Sequence, residues 1–437
     1  MGIDLERWLE ALGSGRPGGI GVEAWSVYAV ERRRLSIGTR DGATGNAHTP
    51  LKISETLGAR FLAVWEDGKI SRGSLERRQI ADDPLSALER ARGSAYADPD
   101  AARVSGPAEF PDVELHDDRV VGLIDGELDL VGHRLARVRE TLAANDFGTW
   151  SGAIAVAESR SRLVTSIGLD VEDRGTSAGW HVSFDGEWGD GFSARSLDDE
   201  PAFELRLSRL AETVRHLGRP RPPMKPGVHP VILHPHVVET LFLGTLLQNL
   251  EGSNVAHGEG FFKLDEFGSD RPALRDDLSL TLDPTKPLKS GSYRFTVEGV
   301  PAVRCELVSN GCLRTPILDL KYANRLGLDP TPAPYGMDAL DLGATESVSE
   351  RDAYALADGG ALILSVLGVH TLDSASGDFS LAAPQALILG ADGPNGRIRT
   401  TISGNVFAVL RDEALRPVRF ENEPTPGLLF PCHLDPT

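Results

Sequence analysis

Between Pro230 and Leu250 the spacing of apolar positions changes period. Pro230-Val231-Ile232-Leu233 is an unbroken apolar run, as expected of a strand covered on both faces. After His234-Pro235-His236, the residues Val238, Leu241, Phe242, Leu246 and Leu250 recur at three- and four-residue intervals. That spacing predicts a helix over 237–250 with those side chains on one face. Pro235 suits a first helical turn, where its missing N–H has no helical partner. Gly252 is expected as a left-handed cap.

The same reading applies upstream. A short helix is expected over 3–13, with strands near 21–31 and 60–65. Asp67-Gly68 lies between Val64-Trp65 and Ile70 and signals a hairpin. A helix follows over 83–92, capped by Asp83 with Pro84 in its first turn. Residues 94–114, with repeated Ala, Asp and Pro, read as a linker. Leu128, Val131, Leu135, Val138 and Leu142 then share a helical face. Strands are expected at 151–157, 163–169 and 180–184, the last ending in an Asp185-Gly186 turn. Phe203, Leu207, Leu210, Val214 and Leu217 mark another amphipathic helix. The Gly218–Pro223 run interrupts the pattern, because consecutive prolines cannot continue a helix. Beyond Gly227 come short β segments at 279–282, 293–297, 361–367, 386–389 and 398–402, with one more helix near 320–326. The expected fold is α+β. Two N-terminal helix/β-hairpin modules (1–105 and 115–218) precede a β-rich C-terminal domain (227–437) with the 237–250 helix at its centre.

Composition narrows the function classes. With 41% hydrophobic and 25% charged residues in 437, the chain has enough apolar material for two or three cored domains. A formal net charge of −19 argues against a nucleic-acid binder, which needs a basic face to displace counterions. Three cysteines without C-x-x-C spacing indicate neither a disulfide scaffold nor a zinc ribbon. No basic segment followed by an apolar one opens the chain, and the longest apolar runs fall short of a bilayer span. A cytoplasmic protein with no membrane partner is expected.

The chemistry-bearing residues are sparse. His234 and His236 are two apart at the strand-to-helix corner, and His370 is distant in sequence. A zinc-hydrolase helix needs two histidines about a turn apart and a glutamate base. The 237–250 helix has no histidine after His236, and Glu239 and Glu251 are the only acids on or beside it. Asp265-Glu266, Asp276-Asp277 and Asp283 are oxygen donors, but their spacing fits no calcium loop. Nucleophile-elbow, Walker and dinucleotide-binding motifs are lacking.

Several short motifs, in order, carry a resemblance. Gly227-Val228-His229-Pro230-Val231-Ile232-Leu233 leads into the helix, and Glu298-Gly299-Val300-Pro301 comes after it. Then come Gly368-Val369-His370, Gly377-Asp378-Phe379-Ser380 and Ser403-Gly404-Asn405. This series, with the 59–65 strand, the Asp67-Gly68 turn and the 83–92 helix, resembles the TldD/PmbA (TldE) metallopeptidase family over nearly the whole chain. In that family the TldD type carries zinc on H-E-x-x-x-H, followed by L-E-G-D. Here Leu250-Glu251-Gly252 retains the second element, but the motif positions hold Leu243, Gly244 and Gln248. A family cysteine ligand has no counterpart in Ser380-Leu381-Ala382-Ala383-Pro384. The chain is therefore similar to the PmbA/TldE type. The resemblance implies no catalytic residue and no metal in this chain. It implies a heterodimer with a TldD-type subunit that carries zinc and cleaves unfolded or small modified peptides. Glu251, Glu298, Arg304 and Asn405 are the candidate chamber or partner contacts. An independent hydrolase using His234, His236 and His370, or a regulatory binding protein, are the alternative readings.

Overall fold

A computed structural model describes residues 3, 5–42, 45–81, 83–221 and 224–436. The N-terminal half is built on one antiparallel seven-stranded sheet in the order β4-β3-β2-β1-β5-β6-β7. Its strands are β1 (Val22–Gly42), β2 (Gly45–Trp65), β3 (Lys69–Glu76), β4 (Tyr96–Ala97), β5 (Trp150–Thr165), β6 (Asp170–Phe184) and β7 (Trp188–Ala194). The two segments read as separate modules thus share a sheet. Ser26–Asp41 of β1 pairs with Trp150–Thr165 of β5. One face holds the helices Glu6–Ser14 and Pro84–Gly93, around Trp8, Leu12, Phe61, Trp65 and Leu88. Further along, Asp129–Ala144 and Glu200–Leu217 pack over Trp150, Trp180 and Phe184. The amphipathic positions expected for the second of these, Phe203 to Leu217, are all buried. Between the halves of the sheet, residues 98–114 are irregular apart from a single 3-10 turn, Pro99–Ala101. Part of the proline boundary, Pro222-Pro223, lies outside the described residues.

The C-terminal half adds β8 (Gly227–Leu233), β9 (Ser279–Leu282), β10 (Cys305–Ser309), β11 (Cys312–Leu313), β12 (Leu340–Gly343), β13 (Val348–Ser349), β14 (Ala361–Leu367), β15 (Asp378–Gly390), β16 (Gly393–Asn405), β17 (Arg416–Arg419) and β18 (Gly427–Pro436). Strand β8 pairs in parallel with β14 and antiparallel with β18. With β15 and β16 this closes a small five-membered barrel, extended by β17 and β13. Strands β9–β12 form a separate four-stranded sheet. The apolar run at 231–233 reads as it should for a strand covered on both sides. Val231 and Leu233 enter the main core, while Ile232 packs outside the barrel with Leu362, Leu364 and Val418. The fold is α+β and β-rich in this half, as the pattern predicts.

Several local expectations change. The strands expected at 151–157 and 163–169 form one strand, β5, which ends at Thr165, and the segment read as a linker carries β4. Tyr293–Val297 forms no strand. Its chain turns back on itself, with the Thr296 N–H donating to Val300 O at 2.9 Å and Gly299 at φ +85°. Gly252 is not a left-handed cap. Glu251 leaves the helix in an extended conformation (φ −62°, ψ 133°), and Gly252 opens the next helix, Gly252–His257. Glycine is needed there for close approach, since a Cβ would lie 2.7 Å from Leu318 Cδ2 and 3.0 Å from Ile317 O.

Candidate functional site

The helix after β8 runs from Pro235 to Leu250 and is not uniform. Residues Val238–Leu243 form a π turn, in which the Gly244 N–H reaches back five residues to Glu239 O. From Gly244 to Leu250 the helix is α. Its expected apolar positions, Val238, Leu241, Phe242, Leu246 and Leu250, are all buried in the barrel core. Such a π turn inserts an extra residue and so rotates the next helical turns about the axis.

The motif positions sit across this junction. Leu243 is 1% exposed and packs in the core, Gly244 is half-buried, and Gln248 is exposed. Leu243 points into the core and Gln248 to solvent, so these two side chains do not converge on one site. Neither a leucine nor an outward glutamine donates to zinc as histidine does, and glycine offers no base. These three positions do not fit the metal their motif would carry. Among the described residues, no group of three or more His, Cys, Asp or Glu side chains is placed to hold a metal. The acidic donors noted in the sequence have local duties instead. Asp277 pairs with Arg275, and Asp283 accepts the Thr285 N–H at 3.0 Å and its hydroxyl at 2.6 Å.

Asn249, which sequence reading passed over, is 1% exposed and fully used. Its Nδ2 donates to Thr245 O and to Ser374 O, both at 2.8 Å, and its Oδ1 accepts the Phe261 N–H. It ties two loops to the helix.

A large cleft lies at the other end of the helix. It has a volume of about 960 Å³ and runs between β7, the helix Glu200–Leu217, the start of the 235–250 helix and the loop at 422–424. His234 caps the helix, its Nδ1 accepting the His236 N–H at 3.3 Å. Its ring is edge-on to Trp188 and Phe420, at centroid distances of 6.1 and 5.5 Å. Burial holds this imidazole neutral, with its pKa lowered to about 3. His236 is exposed in the cleft, whereas His370 is exposed elsewhere and does not line it. The three histidines are therefore not brought together. Arg206 spans two carboxylates, 2.8 Å from Glu423 Oε1 and 3.5 Å from Asp190 Oδ1. Burial raises the pKa of both acids, Glu423 to about 7, despite the guanidinium beside them. Glu239 accepts the Thr425 hydroxyl at 2.8 Å. Arg206, Asp190 and Glu423 had no sequence signal, because no motif relates positions so far apart.

The remaining candidates separate. Glu251 and Glu298 line a common pocket of about 400 Å³ with Tyr322 and Tyr335. Glu298 is half-buried, its Oε2 accepts the Leu320 N–H at 2.9 Å, and burial raises its pKa. Arg304 is exposed and lines neither this pocket nor the cleft. Asn405 caps the helix Val406–Arg411, its Oδ1 accepting the Ala408 N–H at 2.9 Å, and Nδ2 donates to Ser376 O and Asp378 Oδ1, each at 2.8 Å. Those contacts occupy its amide in holding the fold.

Residues 226–420 match the PmbA/TldA metallopeptidase C-terminal domain. An uncharacterised protein of Methanocaldococcus jannaschii is 24% identical over 301 residues, covering 64% of this chain and 67% of its own length. Among solved structures, a Bacteroides thetaiotaomicron protein described as a candidate modulator of DNA gyrase superposes with a TM-score of 0.79 at 19% identity, over 99% of this chain and 98% of its own. TldE from Thermococcus kodakarensis superposes with a TM-score of 0.76 at 17% identity, over 99% of both chains. These structural likenesses show the shared fold. The class so defined is that of metallopeptidase-like proteins built on this barrel domain. Within it, residues 226–420 carry the C-terminal domain of the PmbA/TldD family, and the chain as a whole shares its fold with TldE. No helix among the described residues is long and apolar enough to cross a membrane.

Proposed function

We propose that this chain is the metal-free, non-catalytic subunit of a TldD/TldE-type heterodimeric zinc peptidase that acts in the cytoplasm on unfolded or small modified peptides. The observation that carries this reading is the side-chain chemistry at 243, 244 and 248. A core leucine, a glycine and an outward glutamine stand where two imidazoles and a carboxylate would be needed. The partner then supplies zinc and the base, and this chain completes the surface against which peptide is held. Glu251 and Glu298, which share a pocket, are the candidates for that lining. Arg304, exposed before β10, is the candidate partner contact, while the hydrogen bonds of Asn405 favour a structural role.

Metal analysis by mass spectrometry tests this directly. The purified chain alone is expected to be free of stoichiometric zinc, and co-expression with a TldD-type partner to yield about one zinc per heterodimer with peptidase activity that neither subunit shows alone. One zinc per isolated chain, or a partner equally active without it, overturns the reading. The cleft motivates a second reading, an independent hydrolase. A carboxyl with a pKa of about 7, Glu423, in the same cleft as a neutral imidazole offers acid–base chemistry near neutral pH. Turnover by the pure chain that is lost in Glu423→Gln would select it.

A further inference from the structure

We propose that the pocket between the β1–β3 face and the C-terminal half is an oxyanion-binding site. The cross-strand register builds it. Tyr28 of β1 faces Arg60 of β2, which faces Ser74 of β3. One step along, Ser26 faces Leu62, which faces Arg72. Alternation places these six residues on one side of the sheet, while Val27, Ala29, Ala59 and Ala63 fill the core on the other. Arg103, from the irregular segment after β4, and Val297, Glu298 and Leu320 close a space of about 360 Å³ over this grid.

Three guanidiniums therefore border one small pocket with the hydroxyls of Ser26, Tyr28 and Ser74. A single carboxylate opposes them. Glu298 Oε1 lies 3.8 Å from Arg72 Nη1, and its other oxygen is taken by the Leu320 N–H. Among the described residues, Arg60 and Arg103 form no salt bridge. In a chain of net charge −19, carrying 64 acids against 45 bases, two cations left without a carboxylate at one concavity focus a local positive potential. Planar N–H forks match carboxylate and phosphoryl oxygens two at a time, and hydroxyls complete such a site. The ligand class is an oxyanion, from either a peptide carboxylate or a free phosphoryl group. The first source suits the surroundings, since Val297 and Glu298 also wall the pocket that leads to Glu251. The site does not depend on the heterodimer.

Isothermal titration of the full chain in low-salt buffer tests this with pyrophosphate, and with one short peptide made as free acid and as C-terminal amide. Saturable binding by wild type that weakens at least about tenfold in the Arg60→Ala/Arg103→Ala double variant is expected, with Arg351→Ala as the distant control retaining it. Both substituted arginines are exposed, so folding is expected to survive, which circular dichroism checks. Preference for free acid over amide identifies the carboxylate source, and pyrophosphate binding with no acid–amide difference identifies the phosphoryl source. No saturable binding, or equal binding in the double variant, overturns the proposal.

Discussion

The two ends of the Pro235–Leu250 helix meet opposite environments. Its first turn opens onto a polar cleft, where His234, Glu239, Arg206, Asp190 and Glu423 lie close together and most have named partners. Two turns later, at the positions of a zinc motif, it offers a buried leucine, a glycine and an exposed glutamine. Both halves pack on the same barrel core, so packing does not separate them. What differs is where polar side chains project after the π turn. Along this helix the titratable side chains gather where the strand becomes the helix, while Leu243 packs in the core and Gln248 faces solvent.

The strongest way to break that comparison is Leu243→Ala. If position 243 is core, the loss of its side chain costs about 2–5 kcal/mol in denaturant unfolding. A cost near zero would mean that the site is not packed. Next is Arg206→Ala, which leaves Asp190 and Glu423 without their shared cation. About 1–3 kcal/mol of destabilisation is expected at pH 8, and less at pH 5, where the carboxyls take up protons.

Glu423→Gln sharpens the cleft side through pH. The native carboxyl titrates at about 7 against an ordinary value of 4.5. Between those values the native state keeps a proton that the unfolded chain has released, so this group's contribution to stability falls as pH rises from 4.5 to 7. The variant should lack that fall, seen as melting temperatures that converge with wild type near pH 4.5 and exceed it near pH 7.5. His234 acts in the opposite sense, its contribution growing from pH 3 to 6.5, but it is common to both proteins and cancels in the difference. Asn405→Ala, which removes a helix cap, is expected to cost about 1 kcal/mol and to leave peptidase activity of a reconstituted heterodimer unchanged. Smallest of all, Gln248→Ala should move stability by less than about 0.5 kcal/mol. A larger effect would show that 248 is not the solvent-facing position described.

Much of the fold was legible from periodicity. The helices Pro84–Gly93, Glu200–Leu217 and Leu320–Leu326 fall where caps and apolar spacing put them. Strand β1 was not read beyond Glu31, because Glu31-Arg32-Arg33-Arg34 shows no apolar alternation. Its backbone nevertheless stays extended to Gly42, since β2 and β5 supply ladder partners on both sides. Tyr293–Val297 failed in the other direction. Its buried Tyr293 and Phe295 look like strand residues, yet the glycine turn at 299 folds the chain back so that only an isolated bridge, Phe295 to Pro301, forms.

Local order explains the divide. The strand at 230–233 and the helix after it depend on neighbours within a few positions and could be read directly from the residues, whereas the absent ligands at Leu243, Gly244 and Gln248 are what the family resemblance implies. The cleft network could not be read in either way. Arg206 reaches Asp190 across 16 positions and Glu423 across 217, and only barrel closure against the first sheet brings the three together. The arginine pocket likewise exists because register aligns Tyr28, Arg60 and Ser74 across three strands and a second domain roofs them. Short-range spacing encodes the elements, whereas convergence of distant charges is decided by packing alone.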